Sequence, residues 1–191
     1  MTGTDDTTRL EWDRVSTEAG PDLILFRARF DQLRNPANGK VFRRLVLESV
    51  DWVNVVAITD DGRIVMVEQY RFGTGRNTVE TPGGMVDPGE TALQAAEREL
   101  EEETGYTGGR WAYLGAVEPN PAIHDHLCHH WLVEGVVRTR DPDPGEGESI
   151  RVHLFSRADL DGALQSGRLR HALALSALSR VFPLWPLPFT Q

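Results

Sequence analysis

The sequence predicts an α+β protein, with a main sheet carrying one dominant helix and a small antiparallel sheet ahead of it. Three observations lead there. Trp52–Asp60 and Ile64–Gln69 are rich in β-branched residues and flank Asp60-Asp61-Gly62-Arg63, so they read as central strands joined by a tight turn. Residues 91–104 carry apolar side chains at helical spacing. Shorter strand-like runs, around Arg9–Ser16, Leu23–Asp31 and Lys40–Glu48, are separated by Gly20-Pro21 and by Asn35-Pro36-Ala37-Asn38-Gly39. The second and third of these pair naturally as a hairpin across the turn-rich segment.

The helix is specified at both ends. Thr91 and Gln94 have the spacing of a capping box, and Gly105 stands where a glycine ends a helix. Leu93, Ala96 and Leu100 form an apolar stripe, Gln94, Glu97 and Glu101 face away, and Glu99, Glu102 and Glu103 share a face of their own. Glu97 and Glu101 read as solvated. The other three are harder to explain as surface, because like charges three and four residues apart cost about 0.2–0.5 kcal/mol per pair, and the helix dipole opposes them near its C-terminus. A hard divalent cation bound through oxygen would offset that repulsion.

The whole stretch from Gly84 to Tyr106, GMVDPGETALQAAERELEEETGY, has the spacing G-x5-E-x7-R-E-U-x-E-E-x-G-U, with U a bulky apolar residue. It resembles the Nudix box, the signature of hydrolases of nucleoside diphosphates linked to another group. Tyr106 stands where an aliphatic residue is usual. The resemblance implies the Nudix fold, an α/β/α sandwich around a mixed central sheet. It also implies Mg2+, with Mn2+ able to substitute, held by Glu99, Glu102, Glu103 and the Gly83 carbonyl. Glu90 and Arg98 read as a structural pair bracing the loop against the helix.

Other segments resemble the ADP-ribose pyrophosphatase branch. Glu68-Gln69-Tyr70-Arg71-Phe72 resembles its E-Q-Y-R segment, so Arg71 is expected to contact the nucleotide, a task to which a planar guanidinium is suited. Trp52, and Glu80 ahead of Pro82-Gly83-Gly84, join it as candidate substrate contacts, as does Pro121, a proline about fifteen residues beyond the box. The acidic, Gly/Pro-rich run Asp141–Ser149 predicts a surface loop before a strand at Ile150–Phe155. In this branch a loop glutamate of an E-x-E-x-I segment assists catalysis, which points to Glu146 first and Glu148 second, beside Glu102 and Glu103. Some members of the branch dimerise through an N-terminal sheet, so a homodimer is implied.

Tyr113–Glu118 and His130–Arg138 read as strands around a loop rich in histidine. His124, His126, Cys128, His129 and His130 match none of the usual zinc spacings, and strand alternation sends His129 and His130 to opposite faces. Residues Ala158–Gln165 and Leu169–Val181 read as two further helices.

With 191 residues, 40% of them hydrophobic, there is room for one well-packed domain and a small extra sheet. The expected division is a disordered start over 1–8, an N-terminal sheet over 9–50 that serves dimerisation, the hydrolase domain over 51–182, and an apolar, proline-rich tail over 183–191. A net charge of −9 argues against nucleic acid or an anionic membrane as partner. The first residues do not form a signal peptide, no run is long enough to span a bilayer, and a lone Cys128 suits a reducing cytoplasm. The function implied is hydrolysis of the pyrophosphate link of ADP-ribose or a related nucleotide sugar. Nucleoside triphosphates, dinucleoside polyphosphates or non-catalytic nucleotide binding are the alternatives.

Overall fold

The computed structural model describes residues 9–184. The expected disordered start and the part of the apolar tail after Leu184 lie outside the described residues. The chain divides into two units, one formed by the chain up to Ser49 with Asn120–His126, the other by Val50–Pro119 with the chain from Leu127 onward.

The first unit is a three-stranded antiparallel sheet, β1 (Asp13–Asp22), β2 (Arg27–Arg34) and β3 (Val41–Glu48), in that order. The β2–β3 hairpin forms where the turn residues predict it, with Arg34 opposite Val41 and the Asn35 amide donating to the Lys40 carbonyl at 2.9 Å. The first strand differs from expectation, because β1 runs through Gly20-Pro21 instead of ending there. Its register against β2 shifts between Ala19 and Asp22, and it lies at the sheet edge, where proline's missing N–H costs no ladder bond. Asn120–His126, read from sequence as part of the larger region, joins this unit through Leu47 N–H to the Ile123 carbonyl at 2.7 Å.

The second unit holds a six-stranded mixed sheet. β4 (Trp52–Thr59), β5 (Ile64–Arg71), β6 (Arg76–Glu80), β7 (Tyr106–Val117) and β8 (Cys128–Arg138) lie in the order β6-β5-β4-β8-β7, and β9 (Ile150–Phe155) pairs with β5. β4 and β8 run parallel and the other pairs antiparallel. Helix α1 (Ala92–Thr104) covers one face, and α2 (Arg157–Gln165) with α3 (Ala172–Ser179) covers the other. Strand alternation divides the core: Val53, Val55 and Ala57 pack with Ala95, Ala96 and Leu100, while Val56, Ile64 and Met66 pack with Leu160, Ala174 and Leu178. This is the expected α/β/α sandwich.

Two features of the sheet were not legible. No strand is predicted over Arg76–Glu80, yet β6 forms a hairpin there with β5 across Phe72–Gly75. β4 and β5 pair only at Ala57–Val65 and Ile58–Ile64 and then diverge. The chain after β6 enters the gap, where the Val55 and Val53 amides donate to the carbonyls of Pro82 and Gly84, both at 2.8 Å. The third predicted helix is also shorter than expected, since Leu169 and Arg170 precede its cap at His171.

Candidate active site

Helix α1 begins and ends as its sequence dictates. The Thr91 hydroxyl accepts from the Gln94 amide, the Gln94 side chain accepts from the Thr91 amide, and Gly105 adopts φ 75° and bonds back to Glu101. Its buried face differs from the predicted stripe, because Ala95, Ala96, Leu100, Glu103 and Thr104 are buried whereas Leu93 is only half-buried. Glu99 and Glu103 therefore lie on the sheet-facing side of the helix, next to the apolar contacts.

The gap between β4 and β5 brings backbone to these carboxylates. The carbonyls of Pro82 and Gly84 point at β4, so extended geometry turns the intervening Gly83 carbonyl to the opposite side. On that side the Gly83 amide donates to Glu103 Oε2 at 2.9 Å. The two glycines stand in close quarters of different kinds. A Cβ at Gly83 would collide with the Val53 carbonyl and Asn54, and one at Gly84 with the Glu99 carboxylate.

Burial dominates the electrostatics of Glu103. It is 2% exposed, and desolvation pushes its carboxyl well above the usual range. The Gly83 hydrogen bond and Arg71 oppose that shift, while the charges of Glu99 and Glu148 add to it. Glu99 is raised as well, first by burial, with Arg98 opposing and Glu102 and Glu148 reinforcing. Arg98 organises the far side of the cluster. Its Nε and Nη2 donate to Glu90 at 2.9 and 3.0 Å, Nη2 also reaches the Met85 carbonyl at 3.0 Å, and Nη1 reaches Glu99 at 2.9 Å and Glu102 at 3.1 Å. The brace read from sequence for Glu90 and Arg98 is present and extends to two further carboxylates.

Arg71, at the end of β5, is held by a carboxylate beneath it. Its Nε and Nη2 donate to the two Glu80 oxygens at 2.8 and 2.6 Å. Glu80 is only 1% exposed, and the Thr78 hydroxyl donates to it as well. Burial alone would raise the Glu80 carboxyl, but Arg71, His171 and Thr78 outweigh it and hold the pKa below the usual range. Glu80 is thus buried and accepts two of the Arg71 donors. Two residues not singled out from sequence adjoin the cluster. Gln69 Nε2 lies 3.5 Å from Glu103 Oε1, and the His171 imidazole faces Glu80. Gln69 stood inside the quoted E-Q-Y-R segment, whereas nothing marked His171.

Of the two loop glutamates, Glu148 acts on the cluster. Its charge bears on Glu99, Glu103 and Arg71 together, and it lines a cavity of about 520 Å³ with Gln69, Tyr70, Asn77 and Arg151. Glu146 is exposed on the same loop. Trp52 opens β4, half-buried and bridged to Met85. Pro121 lies in an exposed turn of the first unit. The histidines take separate partners: His124 and His126 stack at 5.1 Å, His129 bonds Asp51 and Tyr113 at 3.0 and 2.9 Å, and buried His130 bonds Ser176 at 3.1 Å.

Among the described residues no three His, Cys, Asp or Glu side chains close on a single point as a ready-made metal cage. The donor set nonetheless fits a hard cation that binds through oxygen and keeps several waters. It consists of carboxylate and carbonyl oxygens, with the Glu99 and Glu103 carboxyls raised by burial first and by neighbouring carboxylate charge after it.

Comparison with known proteins gives this fold and site a class. The sequence model of the NUDIX domain matches residues 50–177, and the chain belongs to the Nudix hydrolase family. It is 40% identical to an ADP-ribose pyrophosphatase of Bacillus subtilis (strain 168) over 97 residues, 51% of this chain and 52%, about half, of that protein. It is 34% identical to an ADP-ribose pyrophosphatase of Mycobacterium tuberculosis over 173 residues, 90% of this chain and 83% of that one. The crystal structure of an ADP compounds hydrolase superposes with a TM-score of 0.77 at 22% identity, over 90% of this chain and 92% of the other, a likeness of fold. No helix among the described residues is long and apolar enough to cross a membrane.

Proposed function

We propose that the chain is a divalent-cation-dependent pyrophosphohydrolase of ADP-ribose or a closely related nucleoside diphosphate sugar, releasing a nucleoside monophosphate and a sugar phosphate. One observation carries the reading: buried Glu103 is bonded to the Gly83 amide, Glu99 lies against Gly84, and the charges of Glu99, Glu148 and Arg71, the last held on its Glu80 support, all bear on Glu103. The likeness to ADP-ribose pyrophosphatases supports the substrate class.

In this reading Glu99, Glu102, Glu103 and the Gly83 carbonyl hold the cation, with Mg2+ the natural ion and Mn2+ a substitute. When bound, the cation neutralises phosphate charge and lowers the pKa of a water. Arg98 keeps Glu99 and Glu102 in place through Nη1. Arg71 meets phosphate with the arm that Glu80 leaves open, a task suited to its fixed fork of donors. Glu148 takes the proton of the attacking water, ahead of Glu146. Water oxygen then bonds to phosphorus, and the bridging P–O bond breaks with its electrons on the leaving phosphate.

The N-terminal unit exposes Trp12, Val15, Val41 and Leu45, which supports a homodimer formed through this sheet. Light scattering should then give about twice the chain mass of 21.3 kDa.

The test of function is hydrolysis with and without Mg2+ of ADP-ribose, ADP-glucose, GDP-mannose, UDP-glucose and nucleoside triphosphates, compared by kcat/KM. Metal-dependent preference for ADP-ribose or a nucleotide sugar is expected. Preference for a triphosphate, or no turnover of any of them, would overturn the reading.

A further inference from the structure

The Arg71–Glu80 pair is gripped from a third element. His171 is the N-cap of α3, and its Nδ1 accepts from the Ala174 amide at 3.3 Å. A nitrogen that accepts carries the lone pair, so the neutral ring bears its proton on Nε2. That nitrogen lies 3.6 Å from Glu80 Oε2, beyond a direct hydrogen bond but close enough for the N–H dipole to act on the carboxylate. The same Oε2 receives Arg71 Nη2 at 2.6 Å, and Oε1 receives Arg71 Nε and the Thr78 hydroxyl. Glu80 is therefore addressed from β5, β6 and α3 at once. Arg71 Nη1 is the arm that Glu80 does not engage, and the Arg71 side chain is 40% exposed against 1% for Glu80.

We propose that His171 is a positioning residue for Arg71: its cap on α3 holds the Nε2–H against Glu80, and that contact keeps the carboxylate, and the guanidinium clamped on it, aimed at the ligand. The inference rests on the reading that Arg71 meets substrate phosphate. Because Arg71 binds the phosphate before and during reaction alike, loosening it should weaken binding more than turnover.

The variant that isolates this contact is His171→Asn. Asparagine is among the best N-caps, so α3 keeps its start, but the shorter side chain cannot maintain both the cap and the approach to Glu80. His171→Ser, another good cap without reach, is the second variant should the first fold poorly. With ADP-ribose and Mg2+, H171N should raise KM by about three- to tenfold while kcat stays within about twofold, the size of a lost modest polar contact. In an Arg71→Lys background the same substitution should leave KM unchanged, since the two act as one unit. A readout without substrate accompanies this: exchange of the Arg71 Nε–H with water, followed by 15N NMR, should quicken in H171N. If R71K raises KM but H171N alters neither KM nor this exchange, the role of His171 is overturned while the reading of Arg71 stands. If R71K leaves KM unchanged, Arg71 is not a substrate contact and the inference falls with it.

Discussion

The Gly83 amide donates to Glu103 Oε2 at 2.9 Å, and it does so because Gly83 lies in the gap where β4 and β5 part. Among the described residues this buried carboxylate has one backbone donor and no ion-pair partner within 4 Å. That arrangement costs stability when the site holds no metal.

The cost should be measurable. Burial raises the folded pKa of Glu103 above its unfolded value of about 4.3, so the folded state binds more protons and stability falls as pH rises through the window between the two values. Glu103→Gln removes that loss. Without metal, its melting temperature at pH 8 should exceed that of the parent by about 2–4 °C, the shift expected for roughly 1 kcal/mol in a chain of this size. Turnover should fall by at least about a hundredfold, as when a group stabilising transition-state charge is removed. A melting temperature below the parent's would show that Glu103 stabilises the fold as a carboxylate.

The two glycines should separate structure from activity. At Gly83 a Cβ meets backbone atoms of β4, which cannot yield cheaply, so Gly83→Ala should cost about 1–3 kcal/mol in urea unfolding, as overpacking does. At Gly84 the obstacle is the end of the Glu99 side chain, which can swing aside. Gly84→Ala should fold with near-parent stability and lose at least about tenfold in kcat, since displacing a catalytic carboxylate by an ångström has that scale of effect. Equal losses of stability in both would refute this distinction.

Glu148 and Glu146 are two residues apart on one loop, and the charge of Glu148 bears on Glu99, Glu103 and Arg71. Glu148→Gln should reduce kcat by about 10²–10⁴-fold, the usual worth of a general base, whereas Glu146→Gln should stay within about threefold. The reverse ranking, measured at saturating ADP-ribose, would return the role to Glu146.

Cys128 should be inert in the folded protein. It is fully buried, and burial first, with the charge of Asp51 adding, pushes its thiol up to about 12. A thiol reagent at pH 8 should label it only after denaturation. Prompt labelling of the native protein would show that the start of β8 opens readily.

What could be read from the chain was local. Thr91, Gln94 and Gly105 set the ends of α1 because caps are chosen by neighbours within one turn, and the spacing of Gly84, Glu90, Arg98 and the three glutamates marked the carboxylate cluster. The strands β3, β4 and β5 followed from β-branched runs and turn residues for the same reason. The chain could not show which side of α1 faces inward. Ala95 displaced Leu93 from the core because α1 had to fit against Val53, Val55 and Ala57, a demand of the sheet.

Non-local pairing decided the remainder. β4 and β5 diverge, and the chain carrying Gly83 and Gly84 pairs into the space between them, so residues far apart in sequence set the reach of Glu103 and Glu99. That Glu80 is buried and accepts from the half-exposed Arg71 follows from the pairing of β5 with β6, which no local pattern announces. His171 carried no sequence signal, since a histidine gains meaning only from what its second nitrogen faces. By itself the sequence determined which carboxylates the protein has and the helix that spaces them. Only the tertiary structure decided which are buried and which cation orients toward them, because burial and charge proximity depend on distances that pattern along a chain does not encode.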